Sequence, residues 1–182
     1  MSELRPTNYD WAELGLTEQG NFKDGRKEGL WVLYDEKGQI QIIGNYKNGK
    51  EDGLWRCYES YSMKGDCGLR TRVMYKEGDK HGLWEQLDGE GHIEESCYYK
   101  NGKLDGVSKS FHMDQLIMKE NFKDGERDGL QEIYHANGQL GIRKNYKNGE
   151  VYGSPEYFDE KGHPADLGDL YFDLIPPNLD WL

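Results

Sequence analysis

Histidines, cysteines and paired carboxylates are the side chains of this chain whose types fit catalysis or metal binding, so their spacing is the first thing to read. His81, His92, His112, His135 and His163 stand singly, with no H-x-x-x-H or H-E-x-x-H spacing to bring two imidazoles onto one metal. Cys57, Cys67 and Cys97 are odd in number and lack a C-x-x-C spacing, which signals neither a disulfide framework nor a zinc site. The acidic pairs Glu94-Glu95 and Asp159-Glu160 carry the groups of a general acid and base, but exposed charge near a strand end accounts for them. No G-x-S-x-G elbow, phosphate-binding G-x-x-x-x-G-K-(S/T) or G-x-G-x-x-G is present. Asp35-Glu36-Lys37-Gly38 and Asp105-Gly106 have the Asp and Gly of a calcium loop without its alternating acidic series. The expectation is a protein without catalytic activity, metal or cofactor.

The remaining chemistry is recognition, and composition narrows it. Within 182 residues, 34 acidic residues face 23 Lys and Arg, a formal net charge of -11. That balance disfavours nucleic acid and anionic membrane and favours a basic protein partner. The opening Met1-Ser2-Glu3-Leu4-Arg5-Pro6 has no basic n-region or apolar h-region, so a cytoplasmic location is expected. With 24 glycines and 13% aromatic residues, burial must rest on Tyr, Trp and Phe rather than on an aliphatic core.

The elements that must position any binding residues come from a repeat. Asn-(Phe/Tyr)-Lys-(Asp/Asn)-Gly-x-x-x-Gly-Leu-Trp runs from Asn21 to Trp31 and again from Asn45 to Trp55, then returns in weaker copies at a spacing of about 24 residues. Each copy carries a turn dipeptide: Asp24-Gly25, Asn48-Gly49, Glu77-Gly78, Asn101-Gly102, Asp124-Gly125 and Asn148-Gly149. Such dipeptides select the two-residue type I′ hairpin turn, because both central residues need positive φ. The register then pairs Lys47 with Lys50, Tyr46 with Glu51 and Asn45 with Asp52, and sets Gly44 opposite Gly53 and Gly20 opposite Gly29. Strand parity puts Ile42, Tyr46, Gly53 and Trp55 on one face and Ile43, Leu54 and Tyr58 on the other. Phe22, Tyr46, Tyr75, Tyr99, Phe122 and Tyr146 stack as one ladder. A second turn, seen at Tyr34 to Gly38, Tyr134 to Gly138 and Phe158 to Gly162, sends the chain into the next hairpin. The fold class is therefore all-β: a single-layer antiparallel meander of about six hairpins, curled because glycines thin one face.

Two places break the period. Five extra residues fall within Glu59 to Asp66, and the glycine turn is missing around Phe111-His112-Met113-Asp114-Gln115. The ends also differ, dividing the chain into a cap segment (1–19), the repeat array (20–163) and an acidic tail (164–182). In the tail Leu167, Leu170, Tyr171 and Leu174 have the i, i+3, i+4, i+7 spacing of a short amphipathic helix that caps the last strand. Since folding explains the repeated residues, partner binding is assigned where the repeat fails: Glu59, Tyr61, Asp66, His112, Asp169, Asp173 and Trp181.

The phrase Tyr-Lys-Asn-Gly-Lys-x-x-Gly-x-Trp with its following Tyr-x-x-x-Gly-x-(Ile/Leu) resembles the bacterial variant of the MORN repeat, over roughly residues 20 to 164. The resemblance implies an all-β array of hairpins. It also implies an antitoxin of the YwqK type, an immunity protein that neutralises a cognate toxin by covering its active or substrate-binding surface. The basic partner favoured by the charge is then that toxin. A non-catalytic scaffold that self-associates through its sheet edges is the alternative, and the same hairpins resemble carbohydrate-binding repeats of surface proteins.

Overall fold

The computed structural model describes residues 15–60 and 67–166, without the side chains of Ser60 and Cys67, and among them there are only strands and turns. The first seven strands are β1 (Thr17–Lys23), β2 (Arg26–Tyr34), β3 (Ile40–Lys47), β4 (Lys50–Ser60), β5 (Cys67–Lys76), β6 (Asp79–Leu87) and β7 (Ile93–Lys100). They continue as β8 (Lys103–Leu104), β9 (Gly106–His112), β10 (Gln115–Lys123), β11 (Glu126–Arg127), β12 (Gly129–Tyr134), β13 (Leu140–Lys147), β14 (Glu150–Val151) and β15 (Glu156–Tyr157). All belong to one antiparallel sheet in which each strand pairs with its sequence neighbour. The pairs β8 with β9, β11 with β12 and β14 with β15 are single strands interrupted where the chain leaves the ladder. The amphipathic spacing at Leu167, Leu170, Tyr171 and Leu174 lies outside the described residues.

The hairpin tips follow from the dipeptides. Asp24, Asn48, Glu77, Asn101, Asp124 and Asn148 all have φ between 50° and 54°, each followed by a positive-φ glycine. That is the type I′ turn, and its twist matches the flanking strands. Successive tips are tied together: the Gly49 amide donates to Lys27 O, Gly78 to Glu51 O and Gly149 to Arg127 O, each at 2.9 Å.

Below the tips the register departs from simple alternation. Asn45 pairs with Asp52 as expected, but Ile43 pairs with Arg56, so three residues oppose Gly44. Likewise Gly20 faces Trp31, while Gly29 faces Tyr46 on the neighbouring strand. The expected facing glycines are thus corrected: Gly29 and Gly53, at φ 72° and 80°, form bulges that advance the strand. The bulge places an indole over each first glycine. A Cβ on Gly20 would overlap the Trp31 ring, and one on Gly44 the Trp55 ring.

That filling also corrects the expected curl. The glycines leave a gap, but the indole occupies it, so the face is not thinned; the sheet runs as an open, uncurled layer. Trp31 and Trp55 are each 2% exposed although no second layer covers them among the described residues. Rings alternate in edge-to-face contact from Phe22 through Trp31, Tyr46 and Trp55 to Tyr75, with centroids 5.1–6.1 Å apart. Val73, Ile42 and Trp84 complete this cluster. Its side of the sheet is the indole face. The opposite side carries Lys23, Lys47 and the other lysines that follow each repeat aromatic, together with Ile43, Leu54 and Tyr58, and is the lysine face.

Candidate interaction edge

Tips line one edge of the sheet and the second turns line the other. On this loop edge the regular turn is built on an aspartate. Asp35 Oδ1 accepts the amides of Lys37 and Gln39, Asp88 Oδ1 those of Glu90 and His92, and Asp159 Oδ1 those of Lys161 and His163, at 2.8–2.9 Å. A short polar side chain that satisfies two turn amides fixes the loop without a core. Between these regular turns lies the turn at Met113-Asp114, while residues 61–66 lie outside the described residues.

The turn at Met113-Asp114 has no glycine, yet it is a two-residue hairpin, with His112 paired to Gln115. Met113 and Asp114 take φ of 49° and 64°. Left-handed backbone is costly for a side chain without a local hydrogen bond, and Met113 is 89% exposed. An apolar knob is held out on a strained tip, beside His112 and a shallow depression also lined by His92, Ile93, Glu94 and Phe111.

Charge surrounds this knob. His92 Nδ1 lies 3.1 Å from Asp88 Oδ2 and 3.8 Å from Glu90 Oε2, and its Nε2 lies 3.7 Å from Asp114 Oδ2. The hydrogen bond to Asp88, then the Asp114 charge, raises the imidazole pKa above its ordinary value. Asp88, though partly desolvated, is held below the usual carboxylate range by bonds from the His92 amide and ring and the Glu90 amide. Next along the edge, Arg70 donates to Leu87 O and to Glu94 Oε2, the latter at 2.9 Å, and its Nε lies 3.7 Å from Glu59 Oε2. Glu94 also accepts from Gln86 Nε2 at 3.0 Å.

Of the residues assigned to partner binding, Glu59 and His112 are therefore brought onto one edge, linked through Arg70, Glu94 and the depression. Tyr61, Asp66, Asp169, Asp173 and Trp181 lie outside the described residues. The sequence reading missed Arg70 and Glu94, which are the extra residues at two bulges: Cys57 pairs with Thr71 and Tyr58 with Leu69, Gln86 with Glu95 and Leu87 with Ile93. A bulge aims its extra side chain off the ladder. Its signal was the repeat position shared by Gln41 and Glu94, two residues after the turn residues Gln39 and His92. Among the described residues no three His, Cys, Asp or Glu side chains are grouped to hold a metal. The edge presents hydrated carboxylates and one exposed thioether, a surface for cationic and apolar groups.

The family described as MORN repeat variant matches residues 27–48, 80–101 and 127–148. Three segments of the chain are thus similar to MORN-variant repeats. Each matched segment runs from one hairpin through a regular loop-edge turn to the next tip. The two stretches between them hold residues 61–66 and Met113-Asp114, so the MORN pattern lapses at both places where the sequence period breaks. No curated protein matches the chain. Among solved structures, a crystal structure of TarM matches at 10% identity and a TM-score of 0.34. An S. aureus TarM mutant in complex with Fondaparinux, alpha-GlcNAc-glycerol and UDP matches at 9% identity and a TM-score of 0.34. In both cases 77% of this chain is covered, and it spans 21% of the matched chain.

Proposed function

We propose that this protein is an immunity protein, one that binds a cationic bacterial toxin at the loop edge and covers its active or substrate-binding surface without catalysis of its own. MORN-variant repeats are a protein-interaction scaffold, and the proposal adds what the scaffold holds. The observation that carries it is the loop edge around His92, where Glu59, Asp88, Glu90, Glu94 and Asp114 cluster beside an apolar knob on strained backbone. Carboxylates there steer a basic partner at long range, and Met113 gives it something to bury on arrival.

The test is co-expression with the product of the neighbouring reading frame. Co-purification and restored growth are expected, and the double change Glu90→Lys with Asp114→Lys should weaken the complex at least tenfold. Healthy growth of cells that express the neighbouring product without this protein would sink the proposal. A scaffold that assembles through its edges is the second reading, favoured by β1, whose seven residues are all exposed and whose outer edge is unpaired among the described residues. Sedimentation showing ordered, concentration-dependent oligomers would select it.

A further inference from the structure

The lysine face holds a charge pattern that folding does not explain. In a sheet, like charges directly opposite one another destabilise the pair. Here Lys23 faces Arg26, Lys47 faces Lys50, Arg56 faces Arg72, Lys100 faces Lys103, and Lys109 faces Lys119. Alternation from the indole-face positions Phe22, Tyr46, Trp55, Tyr99 and Glu120 puts every one of these pairs on the lysine face. Among the described residues only Arg72 and Lys119 have a carboxylate partner, Glu85 and Glu132. The other three tips set Lys76 against Asp79, Lys123 against Glu126 and Lys147 against Glu150, so in a chain with a net charge of -11 the unneutralised positive charge on this face gathers at the first, second and fourth tips.

Apolar surface runs beside that charge. One residue further from the tips on this face, the leucine of the repeat stands out, with Leu30 54% and Leu130 39% exposed. Leu54, Met74, Leu83 and Tyr98 are paired across consecutive strands or lie on adjoining ones, and form a continuous stripe. On the indole face large side chains fill one another's gaps; here, among the described residues, Leu30, Met74, Tyr98 and Leu130 stay exposed.

We infer that the lysine face is a docking surface for an acidic amphipathic helix of a partner protein, lying across the strands. Charge complementarity selects the partner's sign, and spacing selects its form. One lysine recurs per hairpin, at Lys23, Lys47, Lys76, Lys100, Lys123 and Lys147, two strands apart, which is about 10 Å. Seven residues of helix rise about 10.5 Å. A helix with a glutamate and a leucine recurring every seven residues therefore keeps its carboxylates over successive lysines and its apolar residues over the stripe. Nucleic acid or an anionic membrane would use the lysines and ignore that register. The chain's own residues 167–182 are acidic, but Pro176-Pro177 bars a continuous helix, and sixteen residues at helical rise cover only about 24 Å.

The test is fluorescence anisotropy of the full chain with a labelled 21-residue peptide of three heptads bearing Glu and Leu at those positions. Saturable binding is expected, weakened by salt and at least tenfold by Lys47→Glu with Lys100→Glu. Both lysines are exposed, and unchanged thermal unfolding of the variant confirms that it folds. Asp114→Lys should leave this binding intact while weakening the toxin complex, so the two surfaces fail separately. The inference is overturned by no binding, by equal binding of a scrambled peptide of the same composition, or by preference for a single-stranded oligonucleotide or phosphatidylserine vesicles. A carbodiimide cross-link within one chain from Lys100 or Lys109 to Asp169 or Asp173 would give the face to the chain's own C-terminal residues, and overturns it as well.

Discussion

The first two hairpins and the fifth keep the same backbone register with different side-chain chemistry between them. In the first two, Gly20 lies under Trp31 and Gly44 under Trp55, and each indole N–H reaches a backbone carbonyl, Asn21 O at 3.3 Å and Asn45 O at 3.2 Å. At the same repeat positions further on stand Glu120 and Gln131, joined by a 2.7 Å hydrogen bond and tied to Arg127 at 2.6 Å. Ring packing has become a buried polar network, with Glu120 and Gln131 both buried. Lys27 over Tyr46 at 5.3 Å and Arg127 over Tyr146 at 5.6 Å show the cation above the repeat ring surviving the exchange. The lesson is that the tips and bulges set the register, and the space between strands accepts any pair that fills it and satisfies its polar atoms.

Truncation separates the two chemistries most strongly. Trp55→Ala removes a buried indole and should cost about 3–5 kcal/mol in urea unfolding, while Gln131→Ala costs about 1 kcal/mol. Equal costs would mean that the indoles only fill space. Next, Glu120→Ala leaves Arg127 and Gln131 without their acceptor and should cost about 1–3 kcal/mol, with Glu120→Gln recovering part of it. Gly44→Ala forces the new methyl into the Trp55 indole, for about 1–3 kcal/mol, whereas Lys144→Ala at the same repeat position stays within about 0.5 kcal/mol. A neutral Gly44→Ala would show that the indole can move aside.

Two smaller effects concern titration. Burial raises the Cys57 thiol and pushes Cys97 up to about 11, so both should react with a disulfide reagent far more slowly in folded protein than in urea. At the loop edge, His92 is raised, so its stabilisation of the turn is full below its unfolded value and fades as pH rises through the folded one. Asp88 is lowered, so its stabilisation is full above its unfolded value and fades as pH falls through the folded one. The turn is then best held between about pH 4 and 6.5. NMR titration should place His92 above its ordinary value, and Asp114→Asn should bring it back toward that value; an unchanged midpoint would remove Asp114 from the site.

Much of this fold was legible in the chain, because a type I′ tip depends on two adjacent residues and parity carries the consequence along the strand. The pairing of Tyr46 with Glu51 and the shared face of the repeat aromatics follow from that alone, whereas the expected direct stacking is replaced by edge-to-face contacts through Trp31 and Trp55 that run from Phe22 to Tyr75. The alternating tryptophans were not legible, since nothing near Gly44 says that Trp55 rather than Gly53 will cover it. At the loop edge Glu59 and His112 were found through the broken period, whereas Arg70 and Glu94 belong to bulges that local composition does not mark.

By itself the sequence determined the turns, the number and order of hairpins, and the net charge, because each depends on residues close in the chain or on their sum. Tertiary structure decided the bulged register, the filling of glycine gaps by indoles, the placing of like-charged pairs on one face and the gathering of carboxylates around His92. Those outcomes depend on which side chains meet across strands. A bulge of one residue redirects every side chain beyond it, and only the packed sheet selects where the bulge falls.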